Sequence, residues 1–284
     1  MKNILNRFLL PVLVLIFVFS LVAPNSAEAT ITGNNSAGTA NVMGYWKYST
    51  PDTTILPEGE DEAYYKFTIN VGERVYVRSS YDQQYTGMSI EVYNSQNFDS
   101  GTTVINPSSL TPFIFANSGD VASTSETYYV KVSRGTYTGN MYFTVSIEDR
   151  IKSGNGKFDF TGTATNPGNG SFNLAGVDSS VITLDLTNNT TVPKYAIVKS
   201  IKTASTQTPN QGNVTHKLMS NENNVWNTAT VTSATSGSYN ISLQNQMRVA
   251  KKWSFKYNAK ASAKSTMTKV SANISYEYDV TDQF

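Results

Sequence analysis

Apolar and polar residues alternate along most of this chain with a period of two, the pattern of a strand that buries one face. In Tyr65-Lys66-Phe67-Thr68-Ile69-Asn70-Val71 the odd positions form the apolar face. The stretches 74–78, 89–93 and 128–132 repeat the alternation, and 141–147 closes the first half of the chain. Gly, Asn and Ser-rich turns separate these runs, among them Asn70-Val71-Gly72-Glu73 and Gly135-Thr136-Tyr137-Thr138-Gly139-Asn140. No convincing 3.6-residue period runs through the sequence. The pattern predicts an all-β protein made of two β-sandwich domains in tandem.

The sharpest alternation lies near the C-terminus. Trp253, Phe255, Tyr257, Ala259 and Ala261 alternate with Lys252, Ser254, Lys256, Asn258 and Lys260, and Lys264 continues that parity. Val270, Ala272, Ile274, Tyr276, Tyr278 and Val280 form a second apolar face. Two such runs joined by the polar 262–266 region predict a long amphipathic hairpin. Its lysine row, Lys252, Lys256, Lys260 and Lys264, suits an anionic polymer of the cell wall or lipid headgroups, and equally suits a solubilising edge. A membrane-active, pore-forming β-protein uses hairpins of this kind as well.

The N-terminus reads as a signal peptide over residues 1–29. Lys2 and Arg7 precede an apolar run from Phe8 to Ala23, and Ala27-Glu28-Ala29 supplies a small-residue cleavage site. That run is too short for a spanning helix, and no second run approaches spanning length. The expected product is exported, extracellular or associated with the cell wall.

Charge divides the remainder. Residues 30–150 hold 7 basic and 13 acidic side chains, whereas residues 151–284 hold 13 and 7. This change of sign predicts domains at 30–150 and 151–284, with Lys152-Ser153-Gly154-Asn155-Gly156-Lys157 as a polar connector. The absence of cysteine excludes disulfides, thiol catalysis and cysteine-ligated metals. A formal net charge of +1 argues against a specific nucleic-acid binder.

Residues from about 45 to 150 resemble the bacterial pre-peptidase C-terminal domain. The text that carries the resemblance begins with Glu60-Asp61-Glu62-Ala63-Tyr64-Tyr65-Lys66-Phe67-Thr68-Ile69-Asn70-Val71-Gly72-Glu73 and Arg74-Val75-Tyr76-Val77. Met88-Ser89-Ile90-Glu91-Val92-Tyr93 follows in the middle, then Thr127-Tyr128-Tyr129-Val130-Lys131-Val132 and Tyr142-Phe143-Thr144-Val145-Ser146 at the close. The resemblance implies a jelly-roll-like sandwich for the first domain. The second half of the chain resembles no family by its motifs.

Candidate sites are few. Glu58, Glu60, Asp61 and Glu62 cluster in a turn before a strand, and hard cations such as Ca²⁺ take several carboxylate oxygens. The resembled family includes members that bind calcium near this segment; no cofactor is otherwise required. Tyr81, Tyr85 and Tyr93 lie in or beside a polar loop, and Tyr45, Trp46 and Tyr48 crowd the start of the domain. Exposed rings of this kind stack on sugars or grip polymer chains, although tyrosine is also a common packing residue in strands. The single histidine, His216, sits in an alternating strand with no G-x-S-x-G motif anywhere. No catalytic constellation is visible, so the expectation is a non-catalytic binding or structural protein that contacts the cell envelope or another extracellular polymer. The alternative is an extracellular polysaccharide hydrolase whose acids come from separate loops.

Overall fold

Alternation is realised as strand almost throughout. The computed structural model describes residues 30–284 apart from residue 122 and residues 240–245. The expected signal peptide lies outside the described residues. The chain divides into two compact units between Glu148 and Asp149. Helical turns among the described residues are short 3₁₀ segments, Ala37–Thr39, Trp46–Tyr48 and Val280–Gln283. The protein is all-β.

Unit 1 contains β1 (Thr30–Ile31), β2 (Asn41–Tyr45), β3 (Thr53–Leu56), β4 (Glu62–Ile69), β5 (Val75–Ser80), β6 (Ser89–Tyr93), β7 (Phe98–Gly101), β8 (Phe113–Asn117), β9 (Glu126–Ser133) and β10 (Met141–Asp149). They form two five-stranded sheets, in the orders β1-β3-β10-β5-β8 and β2-β4-β9-β6-β7. Ala63, Tyr65, Phe67 and Ile69 all point inward from β4 because a pleated strand sends every second side chain to the same face. They meet Tyr128, Val130 and Val132 of β9, and the Phe67 and Tyr128 rings stack at 6.0 Å. Burying each of these large side chains contributes about 1.5–3 kcal/mol.

Unit 2 contains β11 (Ile151–Asp159), β12 (Ala164–Asn166), β13 (Val177–Asp178), β14 (Ile182–Asp185), β15 (Ile197–Thr208), β16 (Val214–Ser220), β17 (Trp226–Thr228), β18 (Val231–Thr232), β19 (Ser236–Tyr239), β20 (Lys252–Ala259) and β21 (Ser265–Asp279). One sheet runs β11-β21-β15-β19-β18 with β12 also on β21; the other runs β13-β20-β16-β17 with β14 also on β20. Trp253, Phe255, Tyr257 and Ala259 from one layer face Met267, Val270, Ala272 and Ile274 from the other.

Two expectations are corrected here. Residues 152–157 are no connector, because they lie within β11, paired antiparallel with β21 from Ile151↔Asp279 to Asp159↔Ser271. Gly154 stands directly opposite Tyr276, and a Cβ there would lie 2.6 Å from a carbon of the Tyr276 ring. The glycine makes room for the ring, so low side-chain content here marks close packing rather than a linker. The second correction concerns the C-terminal hairpin. β20 and β21 are consecutive and both amphipathic, but they belong to different sheets. Residues 260–264 cross from one layer to the other, and the two apolar faces meet across the core, with Tyr257 Oη 3.0 Å from Ser265 Oγ. Alternation shows that a strand has an apolar face; it does not show whether the partner is beside that strand or opposite it.

Candidate functional site

The outer face of the sheet β2-β4-β9-β6-β7 carries a row of rings. Register places Tyr129 of β9 opposite Tyr93 of β6, and Tyr93 opposite Phe98 of β7. Their neighbours in sequence, Tyr128, Val130 and Val92, point into the core, so these three rings face outward. Tyr93 and Tyr129 stack with centroids 5.7 Å apart and planes inclined at 21°, and Phe98 is 65% exposed. Strands about 4.8 Å apart make the row about 10 Å long.

Beside the row lies an open groove of about 590 Å³, lined by Tyr93, Asn94, Gln96, Glu126, Thr127 and Tyr129 among others. Asn94 fixes the turn between β6 and β7. Its Oδ1 accepts the backbone N–H groups of Gln96 at 2.8 Å and Asn97 at 2.6 Å, while Nδ2 donates to Glu126. Burial raises the Tyr93 pKa, with Lys131 working the other way, so the phenol stays neutral and can donate or accept. The next outward row is ionic: Lys131 is 2.9 Å from Glu91 and 3.5 Å from Glu62. Flat apolar rings beside amide, hydroxyl and carboxylate groups suit a ligand with hydroxylated rims and apolar faces.

The other aromatic candidates do not join this surface. Tyr85 is buried in the core of unit 1, 5.1 Å from the Tyr137 ring, and its hydroxyl accepts the Tyr142 N–H at 2.9 Å. Tyr81 is partly buried and packs on the same core. Tyr85 is corrected from a ligand contact to a packing residue, because its loop folds back against the β9–β10 turn. Tyr129 and Phe98 escaped the sequence reading. The available signal was parity, since of the adjacent pair Tyr128-Tyr129 in a strand one ring must face outward.

Near the start of unit 1, Glu73 accepts from Tyr45 Oη at 2.5 Å, Trp46 Nε1 at 2.8 Å, Lys47 Nζ at 2.7 Å and the Asn70 N–H at 3.0 Å. Burial alone would raise its pKa, but these donors, led by Lys47, hold it down at about 2. Tyr45 and Trp46 thus serve as structural clamps, whereas Tyr48 is exposed. The carboxylates of the acidic turn, Glu58, Glu60, Asp61 and Glu62, do not gather into a group of three. Among the described residues no group of three or more His, Asp or Glu side chains is placed to hold a metal ion. Glu62 turns to Lys131 and Tyr64, and the carbonyls of Glu60 and Asp61 are taken by Arg134.

The lysine row of unit 2 is broken into three environments. Lys256 is 2.7 Å from Asp178 and 4.3 Å from the Trp226 ring centroid. Lys217 and Asn258 also reach Asp178; burial opposes its charge, but Lys256, Asn258 and Lys217 outweigh burial and hold its pKa at about 2. Lys256 is therefore committed within the protein. Lys252 stands opposite Asp185 at one end of β20, while Lys260 and Lys264 lie in the loop beyond the other end. His216 is fully buried, edge-on to Phe255 at 5.1 Å, with Nδ1 2.9 Å from Thr203 Oγ1. Desolvation drives its pKa down to about 4, with only the Ala234 backbone opposing, so it is neutral and out of reach of substrate.

With this geometry in place, one comparison decides the kinship. An uncharacterized protein of Bacillus subtilis strain 168, YbdN, is 58% identical over 268 residues, covering 94% of each chain. The chain belongs to the YbdN family. No family model matches it. Among solved structures, the pre-peptidase C-terminal domain of a Bacillus anthracis collagenase is 19% identical, with 38% of this chain and 94% of that one covered at a TM-score of 0.29. A protein from Eubacterium rectale is 8% identical, with 90% and 86% covered at a TM-score of 0.39. In this YbdN-family chain the ring row of unit 1 sets exposed aromatic faces beside a polar groove.

Proposed function

We propose that this protein is a secreted, non-catalytic binding protein of a bacterium that holds an extracellular polysaccharide-type polymer of the cell envelope on the outer face of unit 1. The observation that carries the reading is the row Tyr129–Tyr93–Phe98 with the adjoining polar groove. Stacked or exposed rings offer apolar faces to sugar rings, and Asn94, Gln96 and Thr127 offer polar groups at the edge. The signal-peptide pattern at residues 1–29 supports export, and the pre-peptidase-like text of residues 45–150 supports an extracellular module. Burial of His216 supports binding without turnover.

Incubation of residues 30–284 with purified wall material tests this. The protein is expected to co-sediment with the walls and to release no soluble fragments, and Y93A/F98A is expected to weaken binding by about tenfold, a loss of about 1.4 kcal/mol. Undiminished binding by Y93A/F98A overturns the site, and release of soluble sugar by the native protein replaces the reading with hydrolysis.

A further inference from the structure

Three loops of unit 2 meet at one end of its sandwich. Residues 167–176 join β12 to β13, residues 209–213 join β15 to β16, and residues 260–264 join β20 to β21. Register brings them together: Asn166 pairs with Ser265, Thr208 with Thr266, and both Val177 and Val214 with Ala259. Their sequences, PGNGSFNLAG, PNQGN and KASAK, contain no acidic residue.

The first loop is built to a definite shape. Asn169, only 3% exposed, accepts the Asn173 N–H at Oδ1 (2.8 Å) and donates from Nδ2 to the carbonyls of Asn173 (2.8 Å) and Lys260 (3.3 Å). Its backbone N–H donates to Ala261 O at 2.9 Å. Gly168, at φ +88°, packs so tightly that a Cβ would stand 2.2 Å from Ser262 O. The second loop is tied in by Gln211 Nε2, which donates to Ala263 O at 2.8 Å.

This frame holds Phe172 and Leu174 in water. Phe172 is 80% exposed and Leu174 90% exposed, and Phe172 has φ +52°, a left-handed conformation that costs an aromatic residue energy. Single exposed apolar residues are ordinary; two on one rigid loop, one of them strained, are not explained by packing. Lys260 and Lys264 are exposed on the adjoining loop, and neither has an ion-pair partner among the described residues. The nearest carboxylate in sequence, Asp178, is taken up by Lys217 and Lys256.

We infer that this end of unit 2 docks on an anionic lipid surface, with Phe172 and Leu174 entering the interfacial layer and Lys260 and Lys264 meeting the headgroup phosphates. A soluble anionic polymer would use the lysines but leave the two apolar side chains without a partner. A lipid surface satisfies both halves of the tip. This docking is independent of the polymer site on unit 1.

Flotation of residues 30–284, which carry both hydrophobic cores, with vesicles checks the inference. Binding is expected to phosphatidylcholine vesicles containing phosphatidylglycerol, weakly to phosphatidylcholine alone, and less at high salt. F172S/L174S is expected to reduce binding by about tenfold or more, and K260Q/K264Q by about thirtyfold at low salt. F172W reports directly, because its fluorescence should be quenched by brominated lipid in the bound state. Y93A/F98A should bind vesicles like the native protein. Failure of the native protein to float, full binding by F172S/L174S, an unquenched F172W, or loss of flotation in Y93A/F98A would each overturn the assignment. Full binding by F172S/L174S would instead mark a purely electrostatic contact of the lysines with the headgroups, without apolar insertion.

Discussion

Arg134 shows how a single side chain can hold the edge of a sandwich. It is 6% exposed, and its guanidinium donates only to backbone carbonyls: Glu60 at 2.6 Å from Nε, Tyr137 at 3.0 Å and Gly139 at 2.8 Å from Nη1, and Pro57 with Leu56 (3.5 Å) from Nη2. The planar fork satisfies carbonyls on both the 56–60 turn and the β9–β10 turn, which an ammonium with three donors on one atom cannot do. Arg134→Met should therefore cost about 3 kcal/mol or more, since it leaves several buried acceptors without partners. Arg134→Lys should recover less than half of that loss. Urea midpoints followed by Trp46 fluorescence in a Trp226→Phe/Trp253→Phe background check both; a native-like midpoint for Arg134→Met would show that water replaces the guanidinium without cost. Single side chains also explain the uneven visibility of the ring row. Tyr93 was legible from a strand pattern beside a polar loop, while Phe98 and Tyr129 gain meaning only from cross-strand register, which depends on turn geometry and long-range pairing.

At the scale of elements, alternation identified β4, β6, β9, β10 and β20 because each buries one face and wets the other. It failed at β11, where Gly154 and Gly156 remove the very side chains whose alternation would have shown a strand. The packing there makes a prediction in which two effects oppose each other. Gly154→Val adds strand propensity worth up to about 1 kcal/mol. Its Cβ, however, would meet Tyr276 ring carbons at 2.6 and 2.8 Å, and moving a packed ring costs about 1–3 kcal/mol. The overlap should win, and Gly154→Val should lower the thermal midpoint; a raised midpoint would mean that the Tyr276 ring swings away freely. A parallel lesson comes from β20 and β21. Their apolar faces were legible, but their placement in opposite layers was not, because a strand opposite and a strand alongside bury the same parity of residues.

At the scale of the whole molecule, the two units carry different shifted titratable groups, and they should respond differently to acid. In unit 1 the strongly shifted acid is Glu73, held at about 2 despite burial by Lys47, Tyr45, Trp46 and Asn70. A depressed carboxylate contributes stability above its unfolded value near 4.5, which is lost as pH falls toward 2. Unit 2 has the corresponding Asp178, lowered from 3.8 to about 2, and also the buried His216, lowered from 6.5 to about 4. For His216 the unfolded chain binds the proton more tightly than the folded one. Its neutral burial is therefore fully tolerated above pH 6.5 and penalised progressively as pH falls to about 4, by at most about 3 kcal/mol. Unit 2 should accordingly begin to lose stability between pH 6.5 and 4.5, a window in which the Glu73 contribution of unit 1 is intact. The Trp46→Phe variant leaves Trp226 and Trp253 to report unit 2, so urea midpoints of this variant across that window measure the slope directly. Adding His216→Gln should flatten the slope whatever it does to the midpoint at neutral pH, because glutamine does not titrate. A slope that survives His216→Gln would assign the acid sensitivity of unit 2 to some other group.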